Sequence, residues 1–340
     1  MFTPVSSSFG GILLCYSTSA LLVTQGRVLG CSGVAHGAVK SLVKSLGTET
    51  TQADDKDKSR AKSSPSHDAD GWKLATLGGL VAGGALLRLL RPELEKVVGA
   101  AIFDAPMSIA QVGVARTVIA GLLVGAGTKL ANGCTSGHML LGLARLSKRS
   151  LAAVVSFFSA ALVTSRPAPT GLMLDKSIPV FRSSPSSTAV ALFALPILLS
   201  LPPLWTSLTS RRPLSPRVAK LQAFFLGMTF SLGLALAGMT RPSKVLSFFA
   251  VPLPFLPSPP PTAAWDPSLA MVALGGLLPN MAVWQAVEDW KKPLGADKWS
   301  VPRGGNVDAQ LLLGSVAFGI GWGLMGYVFN APGHRARGGS

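Results

Sequence analysis

Residues 111–165 read QVGVARTVIAGLLVGAGTKLANGCTSGHMLLGLARLSKRSLAAVVSFFSAALVTS. Two apolar runs, 111–131 and 149–165, flank a segment of different character at 132–148, NGCTSGHMLLGLARLSK. Each run has about the length an α-helix needs to cross the hydrocarbon core of a bilayer. The segment between them opens with small polar residues and continues as a short amphipathic stretch. It is too short to span, and such backbone is tolerated at membrane depth only where it is buried in protein or lines a cavity. The pattern predicts a re-entrant half-helix between two spans.

Further apolar runs lie at 9–35, 72–90, 187–208, 218–238, 267–286 and 309–329. With the first two they predict an all-α, polytopic membrane protein of about eight spans. Asp266-Pro267 supplies a capping residue followed by Pro at the first helical position, and Asp308 is placed to cap the last span. A second segment, 238–250 (GMTRPSKVLSFFA), repeats the first pattern: it follows an apolar run ending in Gly and opens with small polar residues. The loop 251–264 is too rich in Pro to be helical. Four runs end in related Gly-rich units, at 24–33, 125–137, 233–243 and 319–330. Internal repeats with Gly-interrupted segments point to a transporter site, whereas chance likeness among Gly-rich membrane helices is the competing reading. The expected organisation is a first membrane helix at 1–43, a disordered polar loop at 44–71, a first-half core at 72–186 and a second half at 187–340.

Composition agrees. The 340 residues have a mean hydropathy of +0.44 and only 14% charged side chains, against about 25% in soluble domains. The Gly count of 37 and Pro count of 25 suit membrane helices, where Gly permits close helix approach. Long continuous runs, rather than alternating strands, exclude a transmembrane β-barrel. The net charge of +16 is spread singly and in pairs between apolar runs, so it reads as charge at a membrane surface rather than as a nucleic-acid footprint. It favours an anionic solute. The start of the chain lacks both the Lys/Arg-rich opening of a secretory signal and the Arg-rich pattern of a transit peptide. Which membrane holds the protein is not legible.

Chemistry concentrates at Gly133-Cys134-Thr135-Ser136-Gly137-His138. Glycines let the backbone turn sharply, Thr135 or Ser136 can cap the next helix, and a helix start favours an anion. A thiol there is a soft group able to touch sulfur. A tight helix contact around an inert Cys explains the same residues, and the pattern by itself leaves both open. Cys134 and His138 share a helix face, but with no second Cys/His pair or carboxylate nearby no metal site is expected. Arg27 and Lys129 stand inside apolar runs, close before Cys31 and Cys134, and are candidates for attracting an anion; Arg116 is expected to snorkel. In the second segment Thr240, Arg241 and Ser243 occupy the corresponding place. Cys15 has no motif around it, and His67 sits in the polar loop without an expected role.

The blocks GCTSGH and GLARLSKRSLAAVVSFF (142–158) resemble the YeeE/YedE sulfur-compound transporter family, whose signature runs GGCTSGHG…GLARLSPRSLVA. GRVLGCSGVAHG (26–37) resembles its first helix. LGLALAGMTRPSKVLSFF (232–249), WDPSLAMVALGG (265–276) and LLLGSVAFGIGWGLMGY (311–327) resemble the companion domain that accompanies it, so the chain resembles a fusion of two halves that bacteria often encode separately. The resemblance implies an hourglass of helices whose re-entrant segments meet near the middle, and uptake of thiosulfate or a similar species past a cysteine-lined constriction. Cys134 carries over from the motif and Cys31 from the first helix. The last block departs: GWGLMGYVFNAPG stands where the family has GWGLAGYCPGPA, with Val328 in place of a Cys. Either two cysteines suffice, or the solute differs, or transport has been lost. No cofactor is implied. The expected partners are a small anion and the lipid bilayer, with a soluble sulfur-carrier protein as a further candidate and no nucleic acid. A membrane sulfurtransferase working through a Cys persulfide, and a structural membrane protein without transport, are the rival readings.

Overall fold

The computed structural model describes residues 2–45, 71–98, 102–104, 112–167, 187–210, 212–259, 263–301 and 305–326. The helices are α1 (Pro4–Gln25), α2 (Cys31–Ser45), α3 (Gly71–Leu89), α4 (Arg91–Val98), α5 (Val114–Leu130), a π-helical segment (Ser136–Leu143), α6 (Lys148–Thr164), α7 (Ser187–Ser210), α8 (Pro216–Leu236), α9 (Pro242–Phe249), α10 (Ser268–Val287) and α11 (Ala309–Met325). Among the described residues no strand forms, and the fold is all-α. Four helices have the length and apolar character of membrane spans: α1, Phe193–Ser210 of α7, α8 and α10; α11 is a shorter apolar helix.

Caps fix where several helices begin. Ser147 accepts from the Ser150 N–H to start α6, and Ser215 from the Val218 N–H, with Pro216 next, to start α8. Asp308 takes the Leu311 N–H at 2.8 Å, as its position predicts. The start of α10 lies one residue later than the Asp-Pro pair predicts. Asp266 Oδ1 accepts from the N–H of Ser268 at 2.9 Å and from its hydroxyl, so Pro267 flanks the helix instead of opening it. The described part of the Pro-rich loop, 251–259, contains no helix.

Helix α1 packs against α8 and α10, α3 against α8, and both α5 and α6 against α11. Each of these pairings joins an early helix to a late one. The two halves therefore share one hydrophobic core, which holds Leu14, Cys31, Cys134 and Phe157 together with Phe230, Phe249, Phe318 and Trp322. Small residues make the approaches possible. A Cβ on Gly79 would strike the Phe224 carbonyl oxygen across the α3–α8 contact, and one on Gly227 the Thr76 carbonyl oxygen. In lipid, where water does not drive helices together, such backbone proximity is a main source of packing energy. Outward, Leu195, Leu198, Leu201, Trp205 and Leu208 of α7 and Val118 and Leu122 of α5 remain exposed, as a lipid-facing surface requires.

Candidate functional site

The chain reverses at Asn132, whose φ of 56° is left-handed, and enters the Gly-rich motif. The short helix expected after the motif forms over Ser136–Leu143 and is π-helical. Its wider turn is supported from outside. Gly142 lies so close to Ser150 that a Cβ would collide with the Ser150 hydroxyl, and Ser147 N–H reaches back to the Gly142 carbonyl at 3.2 Å. π-helical turns are rare and recur at functional positions.

His138 is held at both ring nitrogens. Nε2 lies 3.2 Å from the Ala131 carbonyl oxygen and Nδ1 3.2 Å from the Ser150 hydroxyl. A carbonyl only accepts, so Nε2 carries the proton and Nδ1 accepts from Ser150. The imidazole packs over Gly133, where a Cβ would come within 2.7 Å of Nε2. His138 thus locks the motif onto α6, and neither nitrogen is left to serve Cys134 as a base.

Ser136 makes the link to the first helices. Its hydroxyl accepts the Cys31 N–H at 3.0 Å and lies 3.1 Å from Cys134 Sγ. Cys31, the first residue of α2, and Cys134 are thereby set beside one hydroxyl. Both are buried, as are Thr135, Ser136 and His138. Here the positive end of the α2 dipole meets two thiols. Gly133, Cys134, Thr135, Ser136, His138 and Cys31 therefore come together as one site.

The two bases expected nearby each have contacts of their own in the fold. Arg27 donates to Gln25 Oε1 at 3.2 Å and lies over the Trp72 ring at 4.9 Å, a cation–π contact. These contacts lie just past the end of α1, where Gly26 turns left-handed and the Gly26 carbonyl accepts from the Ser300 N–H. Lys129 is exposed and donates to His36 Nε2 at 2.9 Å, joining the end of α5 to α2. Arg116 donates to the Leu324 and Pro167 carbonyl oxygens, holding the ends of α11 and α6.

The second segment is already provided with an anion by the protein. Asp104 accepts from Arg241 Nε at 2.9 Å, from the Ser243 N–H at 2.8 Å and from the Ser243 hydroxyl at 2.6 Å. Its carboxylate takes the place at the start of α9 that the sequence suggested for a solute. Thr240 donates to the Ile102 carbonyl at 2.6 Å. Lys244 reaches Thr3 Oγ1 and stands 3.7 Å from Asp266. Asp104 escapes a motif search because it sits far from α9 in sequence; the only hint is an acid in an otherwise apolar stretch, AIFDAP.

A buried polar seam between α1 and α10 also lies outside any motif. Asn280 Oδ1 accepts from Ser19 and its amide donates to Thr18 Oγ1 at 3.0 Å, while Cys15 Sγ lies 3.6 Å from Ser19 Oγ. The traces in the sequence are the hydroxyl run YSTS and a lone Asn in an apolar helix.

Residues 8–163, which contain the motif, match the sulphur transport family. A "Probable transporter" of Xylella fastidiosa (strain Temecula1 / ATCC 700964) is 30% identical over 156 residues, 46% of this chain and 88% of the relative.

The chain belongs to the sulphur transport family.

A second "Probable transporter", from strain 9a5c, is 32% identical over the same length, and a further one from that strain is 36% identical over 107 residues, 31% of this chain and 65% of the relative. Residues 218–338 match a family of unknown function (DUF6691), in agreement with the expected fusion to a companion domain. No solved structure matches. Together with the apolar helices, the family makes this an integral, multi-pass membrane protein. Val328, where the family resemblance expects a Cys, lies outside the described residues, as do His67 and nearly all of 44–71.

Proposed function

We propose that the protein carries a small sulfur-containing anion, such as thiosulfate, across the membrane past Cys31 and Cys134. The observation that carries this reading is the convergence of the two thiols on Ser136 at the start of α2. A soft thiol contacts the sulfur end of the solute without a covalent step, while the α2 start and its dipole favour the oxyanion end. Thr135 and Ser136 add hydroxyl donors. Lys129 and His36 at the exposed rim attract the anion toward the opening. Thr240, Arg241 and Ser243 belong to the far end of the path, where Arg241 and Ser243 pair with Asp104 and Thr240 with the Ile102 carbonyl.

The sulfurtransferase alternative lacks support from the geometry. A persulfide-forming Cys134 would need a base, and both nitrogens of His138 are committed to Ala131 and Ser150.

Uptake of thiosulfate labelled with radioactive sulfur into vesicles containing the purified protein tests the reading. Cys134→Ala is expected to abolish uptake while leaving the thermal unfolding midpoint in place. Undiminished uptake by that variant removes Cys134 from the path, and a persulfide on Cys134 by mass spectrometry would favour the enzyme instead.

A further inference from the structure

Helix α11 bridges the two segments. At one end Gly314 packs against Leu130 and Ala131, beside the cysteine motif, and at the other Gly326 packs against Pro242, which opens α9. The interval between those contacts is ~18 Å of helix rise. On the core-facing side of α11, at the spacing that keeps residues on one face, stand Ser315, Phe318 and Trp322. All three are about 1% exposed. Phe318 and Trp322 stack at 5.8 Å, and Phe157, Phe158 and Phe249 pack edge-on to Trp322 at 5.0–6.0 Å. Among the described residues, the buried Ser315 hydroxyl and Trp322 indole N–H have no hydrogen-bond partner.

Two orphan donors on one face of one helix are unusual. A buried hydroxyl on a helix normally satisfies itself on a carbonyl one turn back, as those of Thr24, Thr76 and Ser207 do here. An unmet buried donor costs stability, so folding alone does not favour keeping either one. Neither residue belongs to the cysteine motif.

We propose that Ser315 and Trp322 are hydrogen-bond donors to the oxyanion in transit, and that they mark its route along α11 between the cysteine site and the start of α9. Trp and Ser donate without carrying charge, so they can hold an anion briefly and release it, which conduction demands. The proposal rests on the anion-transport reading above and extends it to positioning residues in the second half of the chain.

The test uses the full chain with Trp322→Phe, Ser315→Ala and Ser315→Thr. Each is measured for the concentration dependence of thiosulfate uptake in vesicles and, in detergent, for the thermal shift produced by thiosulfate and sulfate. Loss of one hydrogen bond to an anion is expected to raise the half-saturating concentration about tenfold for Trp322→Phe and Ser315→Ala. Ser315→Thr is expected to stay near the unmodified protein. The ligand-free midpoint of Ser315→Ala is expected to hold or rise, because it removes an unmet donor, whereas loss of a structural hydrogen bond would lower it. Unchanged half-saturation in a protein that does take up thiosulfate overturns the proposal and leaves the transport reading standing. If the protein does not take up thiosulfate but sulfate stabilises it, and Trp322→Phe and Ser315→Ala abolish that shift, the donors stand and thiosulfate falls as the solute. If neither anion binds, both fall.

Discussion

Asp104 shows how much one side chain settles. It meets Arg241 and the start of α9 through three hydrogen bonds, and Arg241 is itself buried. Removing the carboxylate strands a guanidinium and an unmet N–H. Because Asp104 keeps some contact with solvent, the cost falls below that of a fully buried pair, at roughly 2 kcal/mol. Asp104→Ala is expected to lower the thermal midpoint clearly, and Asp104→Asn by less, since an amide oxygen still accepts. Equal midpoints for Asp104→Ala and the unmodified protein would show that Arg241 finds another acceptor. His138 makes a parallel case. Its ring joins Ala131 to Ser150, so His138→Ala should loosen the motif and reduce stability, even though the residue touches no solute in the proposed path.

The helices themselves depend on close backbone contact. Gly79 and Gly227 face opposite ways across the α3–α8 junction, each against a carbonyl oxygen of the other helix. Gly79→Ala forces the helices apart, because neither a backbone oxygen nor its helix can rotate aside. Overpacking of this kind costs about 1–3 kcal/mol. Gly84, with open space beside it, is the natural control. Gly79→Ala is expected to lower the midpoint in detergent and Gly84→Ala to leave it nearly unchanged; similar midpoints for the two would refute the close-contact account.

For the molecule as a whole, the shared core has a practical consequence. Since α1, α3, α5 and α6 bury their faces mainly on α8, α10 and α11, neither half can satisfy its own packing. Each half expressed alone is expected to be degraded or aggregate, while the two produced together from a chain cut between 167 and 187 are expected to purify as one complex. Independent stability of the 1–167 piece would show that the halves are separate units. Replacing 46–70 by a short Gly/Ser linker is expected to leave insertion and folding intact, because that composition cannot build a packed core; failure to insert would refute that reading.

The membrane class, the all-α architecture, the caps at Asp308 and before α10, and the cysteine motif were all legible in the chain itself. Each follows from local rules: apolar runs of spanning length, capping chemistry, and a Gly-rich turn around a thiol. What the chain could not show is which distant groups complete a local pattern. The start of α9 looks open to an anion until Asp104 folds onto it. Arg27 meets the Trp72 ring and Lys129 meets His36 only in the folded chain. The π-turn at Ser136–Leu143 depends on α6 pressing Ser150 against Gly142, and the Cys15–Ser19–Asn280 seam on α1 meeting α10. Hydrogen bonds and close packing are satisfied in space rather than along the chain, so the partners of these residues were decided only when the two halves came together.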